Sequence, residues 1–293
     1  MTRLVLHIGL LKTATTTIQD WAASKRSTLA QAGVFYPKSF TNENVTKHQE
    51  LVEVLKHGHI PAVRQLFEHI SNEKEPHIHT VWLSTEGLTN HLTEGEEKPQ
   101  YLAHLRDLFT AFDDTVLFMM TRQSEPWIRS YYQQFVANPP NPAFGFATPL
   151  RLEEFAQTPR IQALMDHETL QQRALQAYGA DRFVSSTLEG SWAEDLCGLL
   201  AVPEMAQDLR AAPSSNKGLS IAATEAIRQI NEQNLPGGQD RQFLVEWLRN
   251  GTYHTRLPAD LEKYVTALNP EDEDQKELKH LMLQAFDHRN ENT

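Results

Sequence analysis

Lys12 and four threonines, Thr13, Thr15, Thr16 and Thr17, crowd into one short segment after Gly9. A lysine supplies a point charge and a threonine a hydroxyl donor, so the chemistry on offer is anion binding. A helix starting here would add outward-pointing backbone N–H groups with partial positive charge. The same residues also suit a plain helix cap with no ligand. The lysine comes too early for the G-x-x-x-x-G-K-[ST] order of a nucleoside-triphosphate P-loop. Arg122 and Ser130 form a second pair that could converge on one anion through a planar guanidinium fork and a hydroxyl. They read equally well as a surface arginine and a helical serine. Two groups could take a proton: Glu86, in Leu83-Ser84-Thr85-Glu86-Gly87, and His48, in Lys47-His48-Gln49-Glu50-Leu51. Glu86 could instead cap a helix. With 13 histidines in the chain, His48 could instead be a surface residue. His254 and Arg256 form a small late basic patch, more simply read as a surface turn.

These groups need strand ends and helix starts to hold them. Leu4 to Ile8 and Val81 to Thr85 are short apolar or β-branched runs that read as buried strands, and Thr115 to Met120 and Arg182 to Thr187 also read as strands. Helical spacing follows in Ile18, Trp21, Ala22, Lys25 and Leu29, with Gly33 as a stop. Further helices are expected over 61–70, 102–112, 127–136, 164–178 and 192–200. Beyond Pro213 the chain reads as mostly helical, over 221–232, 242–250, 258–268 and 272–288. Asn138 to Pro149 reads as an ordered loop whose Phe144 and Phe146 form an apolar wall or lid. Strands alternating with helices predict an α/β fold with a central, mainly parallel sheet flanked by helices. In ligand-binding sheets of this kind, the site lies at the carboxyl ends of the strands. A single domain over 1–293 is expected, with a helical C-terminal subdomain from about 214.

Composition narrows the partners. The net charge of −11 shows no basic stripe, which argues against nucleic acid. An anion would have to be held by a few local donors. Cys197, the single cysteine, sits among leucines and reads as a buried core thiol. No apolar run approaches the ~20 residues of a membrane span, and the Leu4 to Ile8 run is too short for a signal peptide. The expected location is cytoplasmic. No compact metal-ligand cluster is visible, and no metal is expected.

His7-Ile8-Gly9-Leu10-Leu11-Lys12-Thr13-Ala14-Thr15-Thr16-Thr17 resembles the 5'-phosphosulfate-binding loop of the sulfotransferases that use 3'-phosphoadenosine-5'-phosphosulfate, PAPS, and most of all their bacterial members. Arg122 and Ser130 match the arginine and serine that grip the adenosine 3'-phosphate in that family. A weaker likeness lies in Asn216-Lys217-Gly218-Leu219-Ser220, which also reads as a helix N-cap at Ser220. The resemblance covers about residues 1 to 230. It implies a P-loop-like three-layer fold and transfer of a sulfuryl group to a hydroxyl or amine of a saccharide or small-molecule acceptor. Adenosine 3',5'-bisphosphate would be the product. Lys12 would contact the phosphosulfate, and Thr13, Ala14, Thr15, Thr16 and Thr17 would hold the 5'-phosphate. Glu86 or His48 would be the base. Two positions depart from the usual pattern: Ala14 replaces a glycine and Leu11 a histidine. Alanine at position 14 would be strained if φ is positive there. A P-loop kinase-like phosphotransferase and a non-catalytic nucleotide-binding module are the alternative readings.

Overall fold

A computed structural model describes residues 2–38, 46–56, 75–93, 109–142, 144–213, 218–234, 238–251 and 255–287, with single helical positions between 61 and 72. Five parallel strands form one sheet: β1 Arg3–His7, β2 Val34–Phe35, β3 Thr80–Ser84, β4 Asp114–Thr121 and β5 Arg182–Thr187. Their order is β2-β3-β1-β4-β5. β1, β3 and β4 are almost wholly buried, which is why they read as continuous apolar runs rather than alternating ones. β2 was not anticipated, because two residues are too few to show a strand period.

The chain divides into two compact units. The first comprises Met1–Trp127 and Pro159–Ser215, and holds the sheet. Its helices are α1 Thr15–Ser24, α2 Arg26–Gln31, α3 Gln49–Lys56, α4 Gly87–His91, the first turn of α5 Ser124–Ala137, α7 Pro159–Met165, α8 His167–Tyr178, α9 Trp192–Leu199 and α10 Ala206–Arg210. Ile18, Trp21, Trp82, Phe118, Met120, Trp192 and Leu196 pack together in its core. Truncating a ring such as Phe118 to alanine would cost about 3–5 kcal/mol. Cys197 lies in the same cluster, its thiol pushed up to about 12 by burial and by nearby carboxylates. The helix expected to run to Leu29 breaks at Lys25 into α1 and α2. Ser24 Oγ donates to the Trp21 carbonyl at 2.7 Å, a local bond that competes with the helical ladder.

The second unit comprises Ile128–Thr158 and Asn216–Thr293, so the C-terminal helices share it with an earlier segment. It contains the rest of α5, with α6 Leu152–Ala156, α11 Ile221–Glu232, α12 Gln239–Asn250, α13 Glu262–Thr266 and α14 Glu273–Asp287. Ser220 caps α11, accepting from the Ala223 N–H at 3.1 Å. Phe146, in the loop expected as an apolar wall, packs edge-on against Phe135 and stacks with Phe144. Two arginines are buried here. Arg228 is held by Glu225, Glu232 and the Pro149 carbonyl. Arg241 donates to the Val136 and Ala137 carbonyls at the end of α5, where the helix dipole favours a cation. Most of the expected helix over 61–70, residues 102–108 of the one expected over 102–112, and Asn216, Lys217 and His254 lie outside the described residues. No helix among the described residues is long and apolar enough to cross a membrane.

Candidate anion site at the carboxyl ends of β1, β3 and β4

From β1 the chain moves toward β2 on one side of the sheet, whereas from β4 it moves toward β5 on the other. The carboxyl ends of β1 and β4 therefore flank a topological switch point, the usual ligand crevice of such a sheet. Their last paired residues are His7 and Phe118, and β4 runs on to Thr121. The Lys12 segment leaves β1 here, Arg122 leaves β4 and Glu86 follows β3.

The β1–α1 loop is strained and tied down. Lys12 and Ala14 both have positive φ, at 68° and 63°. An L-residue pays about 1–2 kcal/mol in that region, and such strain persists only where surrounding bonds enforce it. Three anchors do so. Thr89 Oγ1 donates to the Ile8 and Gly9 carbonyls. Trp127 Nε1 donates to the Leu11 carbonyl at 2.9 Å. Thr13 Oγ1 donates to the Leu10 carbonyl at 2.6 Å. The φ of 35° at Gly9 suits a glycine, because a Cβ there would be strained and would lie 2.6 Å from Thr15 Cγ2.

The plain-cap reading of the threonines does not match this geometry. The residue before α1 is Ala14, with no side-chain cap, and no acid occupies the first turn. The amino end of α1 thus keeps the positive dipole that favours an anion. The hydroxyls are divided, since Thr13 spends its proton on the loop and Thr15 donates to Glu86. Thr16 and Thr17 are half-buried in the first turn, and Lys12 is half-buried before it.

Glu86 joins this arrangement directly. Its carboxylate accepts from Thr15, and its Cγ would lie 3.6 Å from a Cβ on Gly9. Burial raises its pKa above the ordinary carboxylate value, opposed by the charges of Lys47 and then Lys12. A half-buried carboxylate with a raised pKa beside two cations suits a general base.

His48 is built differently. It is fully buried, and burial lowers its pKa to about 4. Nδ1 accepts from the Ser84 N–H at 2.9 Å, and Nε2 faces the Pro37 carbonyl at 3.1 Å. Nδ1 is thereby the bare nitrogen and Nε2 carries the proton. With both nitrogens committed to backbone, His48 braces the segment before α3 against β3. The geometry favours Glu86 over His48 as the proton acceptor.

Under the loop lies His7, also fully buried and lowered to about 3 by burial. Its Nδ1 meets Ser84 Oγ at 2.9 Å, and Gln19 Nε2 donates to the same hydroxyl at 3.1 Å. His7 Nε2 is buried without a hydrogen-bond partner among the described residues, 3.3 Å from where a Gly9 Cβ would stand.

At the end of β4, Arg122 faces Glu189, with Nε 3.7 Å from a carboxylate oxygen. That is too long for a hydrogen bond, and the Nε is buried without one. Glu189 also accepts from the Gln123 N–H at 3.3 Å, just before α5. A carboxylate of the protein's own thus rests where an incoming anion would meet Arg122. Ser130, half-buried on α5, falls in the second unit.

Sequence reasoning missed Thr89, Trp127, Glu189 and Lys47. Glu189 and Lys47 flank features that were visible, the end of β5 and the His48 element. Thr89 and Trp127 act through main-chain carbonyls, which leave no motif. No protein-family model, curated protein or solved structure matches the chain.

Proposed function

We propose that the protein is a sulfotransferase, moving a sulfuryl group from PAPS to a hydroxyl or amine of a saccharide or small-molecule acceptor. The observation that carries this reading is the strained, uncapped loop that brings Lys12, Thr15 and Glu86 together at the switch point. The backbone around Ala14 and the start of α1 would hold the 5'-phosphate, with Lys12 over the phosphosulfate bridge. Arg122 would take the adenosine 3'-phosphate after Glu189 gives way; Ser130 is assigned there by the resemblance alone. PAPS, when bound, supplies a sulfuryl group on a good leaving phosphate.

The chain's own residues supply the rest. Glu86 accepts the acceptor's proton as the new bond to sulfur forms. Lys12 meets the charge left on the phosphate oxygen as the old sulfur–oxygen bond breaks. Holding acceptor and donor in line lowers the barrier further by prepaid entropy. Thr15 orients Glu86 through its hydroxyl. The test is release of adenosine 3',5'-bisphosphate from PAPS across a panel of alcohol, amine and saccharide acceptors. Acceptor-dependent release that collapses in Glu86→Gln and Lys12→Ala is expected. Magnesium-dependent turnover of ATP instead would move the protein to the kinase-like reading.

A further inference from the structure

We infer that Lys47 is a positioning residue of this site, the counter-charge that keeps the Glu86 carboxylate available as a base while an anion occupies the β1–α1 loop. The inference rests on the reading of Glu86 given above. Lys47 belongs to no motif, but its backbone is held tightly against the segment that carries Glu86. On one side, the Thr46 carbonyl accepts from Tyr36 Oη at 2.8 Å. On the other, the His48 N–H donates to the Ser84 carbonyl at 2.9 Å, and the Ser84 N–H returns a bond to His48 Nδ1. One step further, Thr85 Oγ1 contacts Gln49 Oε1, and a Cβ on Gly87 would press on Val52 at 2.9 Å. Residues 48, 49 and 52 are thus held against 84–87, while 46 is fixed by Tyr36, with the half-buried Lys47 between them.

The groups around Glu86 explain why a second cation is needed. The loop contributes Lys12, α1 contributes the neutral Thr15 hydroxyl, and the end of β1 contributes His7, which burial keeps uncharged. The acids on neighbouring elements, Asp20 and Glu50, are exposed, and Asp20 is engaged by Thr46. Burial works against the Glu86 charge, and Lys47 opposes it ahead of Lys12. An anion on the loop would engage Lys12 and add its own negative charge beside Glu86, both of which favour the protonated carboxyl. Among the described residues, Lys47 is then the cation left to hold Glu86 ionised.

The experiment is a pH titration of the Glu86 carboxyl by 13C NMR on glutamate-labelled protein, assigned with Glu86→Gln. Wild type, Lys47→Ala and Lys47→Arg are compared with and without adenosine 3',5'-bisphosphate. The Glu86 midpoint should rise by about one unit in Lys47→Ala, more with the nucleotide present, and stay near wild type in Lys47→Arg. Under turnover, the acid limb of kcat/KM should move to higher pH by the same amount. An unchanged midpoint in folded Lys47→Ala overturns the inference whether or not the protein transfers sulfuryl groups. A shifted midpoint together with full transfer activity in Glu86→Gln overturns the role of Glu86 as base, and with it the purpose assigned to Lys47.

Discussion

The carboxyl ends of β1 and β4 lie next to each other in the sheet, yet they prepare for an anion in opposite ways. The β1 end stores strain: two residues with positive φ, an uncapped helix start and, beneath it, a buried histidine nitrogen with no hydrogen-bond partner among the described residues. The β4 end is relaxed and already faced by an acid, with Glu189 against Arg122 and the Gln123 N–H. A loop held in a costly shape keeps its donors aimed whether or not a ligand is present. An arginine faced by an internal acid has its charge compensated until a competitor arrives. The β1 end should therefore dominate affinity, and the β4 end should adjust it.

The largest expected effect is at Lys12. Lys12→Ala should weaken binding of adenosine 3',5'-bisphosphate by about 10- to 100-fold, the scale of a lost charged hydrogen bond. Isothermal titration checks it, and an unchanged Kd would break the contrast at once.

Next is the response to acid, which should begin at the β1 side. His7 and His48 are neutral when folded, with pKa values of about 3 and about 4 against an ordinary 6.5. The unfolded chain binds their protons first, so the stability they contribute is full above pH 6.5 and is lost as pH falls toward 4. Between pH 7 and 5.5 the loss should be about 2–3 kcal/mol for the pair. Glu86, raised when folded, acts in the opposite sense at lower pH. Urea unfolding against pH should show this slope, and His7→Gln should flatten it. By contrast, Glu225 is lowered when folded: burial would raise it, but its bonds to Arg228 outweigh that. Its contribution should fade only below the ordinary glutamate value near 4.5.

A smaller effect separates the two ends directly. Glu189→Gln removes the competing charge and should tighten nucleotide binding by up to about fivefold, in keeping with a modest part-exposed ion pair. Weaker binding in that variant would mean that Glu189 supports the ligand rather than competing with it. The smallest change is in stability alone. Ala14→Gly relieves a positive φ and should raise unfolding free energy by up to about 1 kcal/mol, read as a shift in urea midpoint.

How much of this was legible beforehand depended on whether a side chain or the backbone carries the information. Strands β1, β3 and β4 show as apolar runs because both faces of a parallel sheet are covered there, whereas the largely exposed β5 shows only through Phe183 and Val184. Lys12, Glu86 and Arg122 show because each follows such a run. The strain at Ala14 could be stated only as a condition, since nothing in an alanine announces its φ. His48 looked like a base because its residue type titrates near neutrality, while its two backbone partners are set by tertiary packing. Glu189 and Lys47 become informative only once β5 and the segment before α3 are placed against their neighbours. The discontinuous second unit was hidden because 128–158 and the C-terminal helices are far apart in sequence.

The most direct test of the account compares adenosine 3',5'-bisphosphate with adenosine 5'-monophosphate, which lacks the 3'-phosphate, in wild type and Arg122→Ala. The account predicts that wild type binds the bisphosphate at least about tenfold more tightly, and that Arg122→Ala erases the difference while still binding the monophosphate. Equal affinity for the two nucleotides in wild type, or no binding of either by the folded protein, would contradict it.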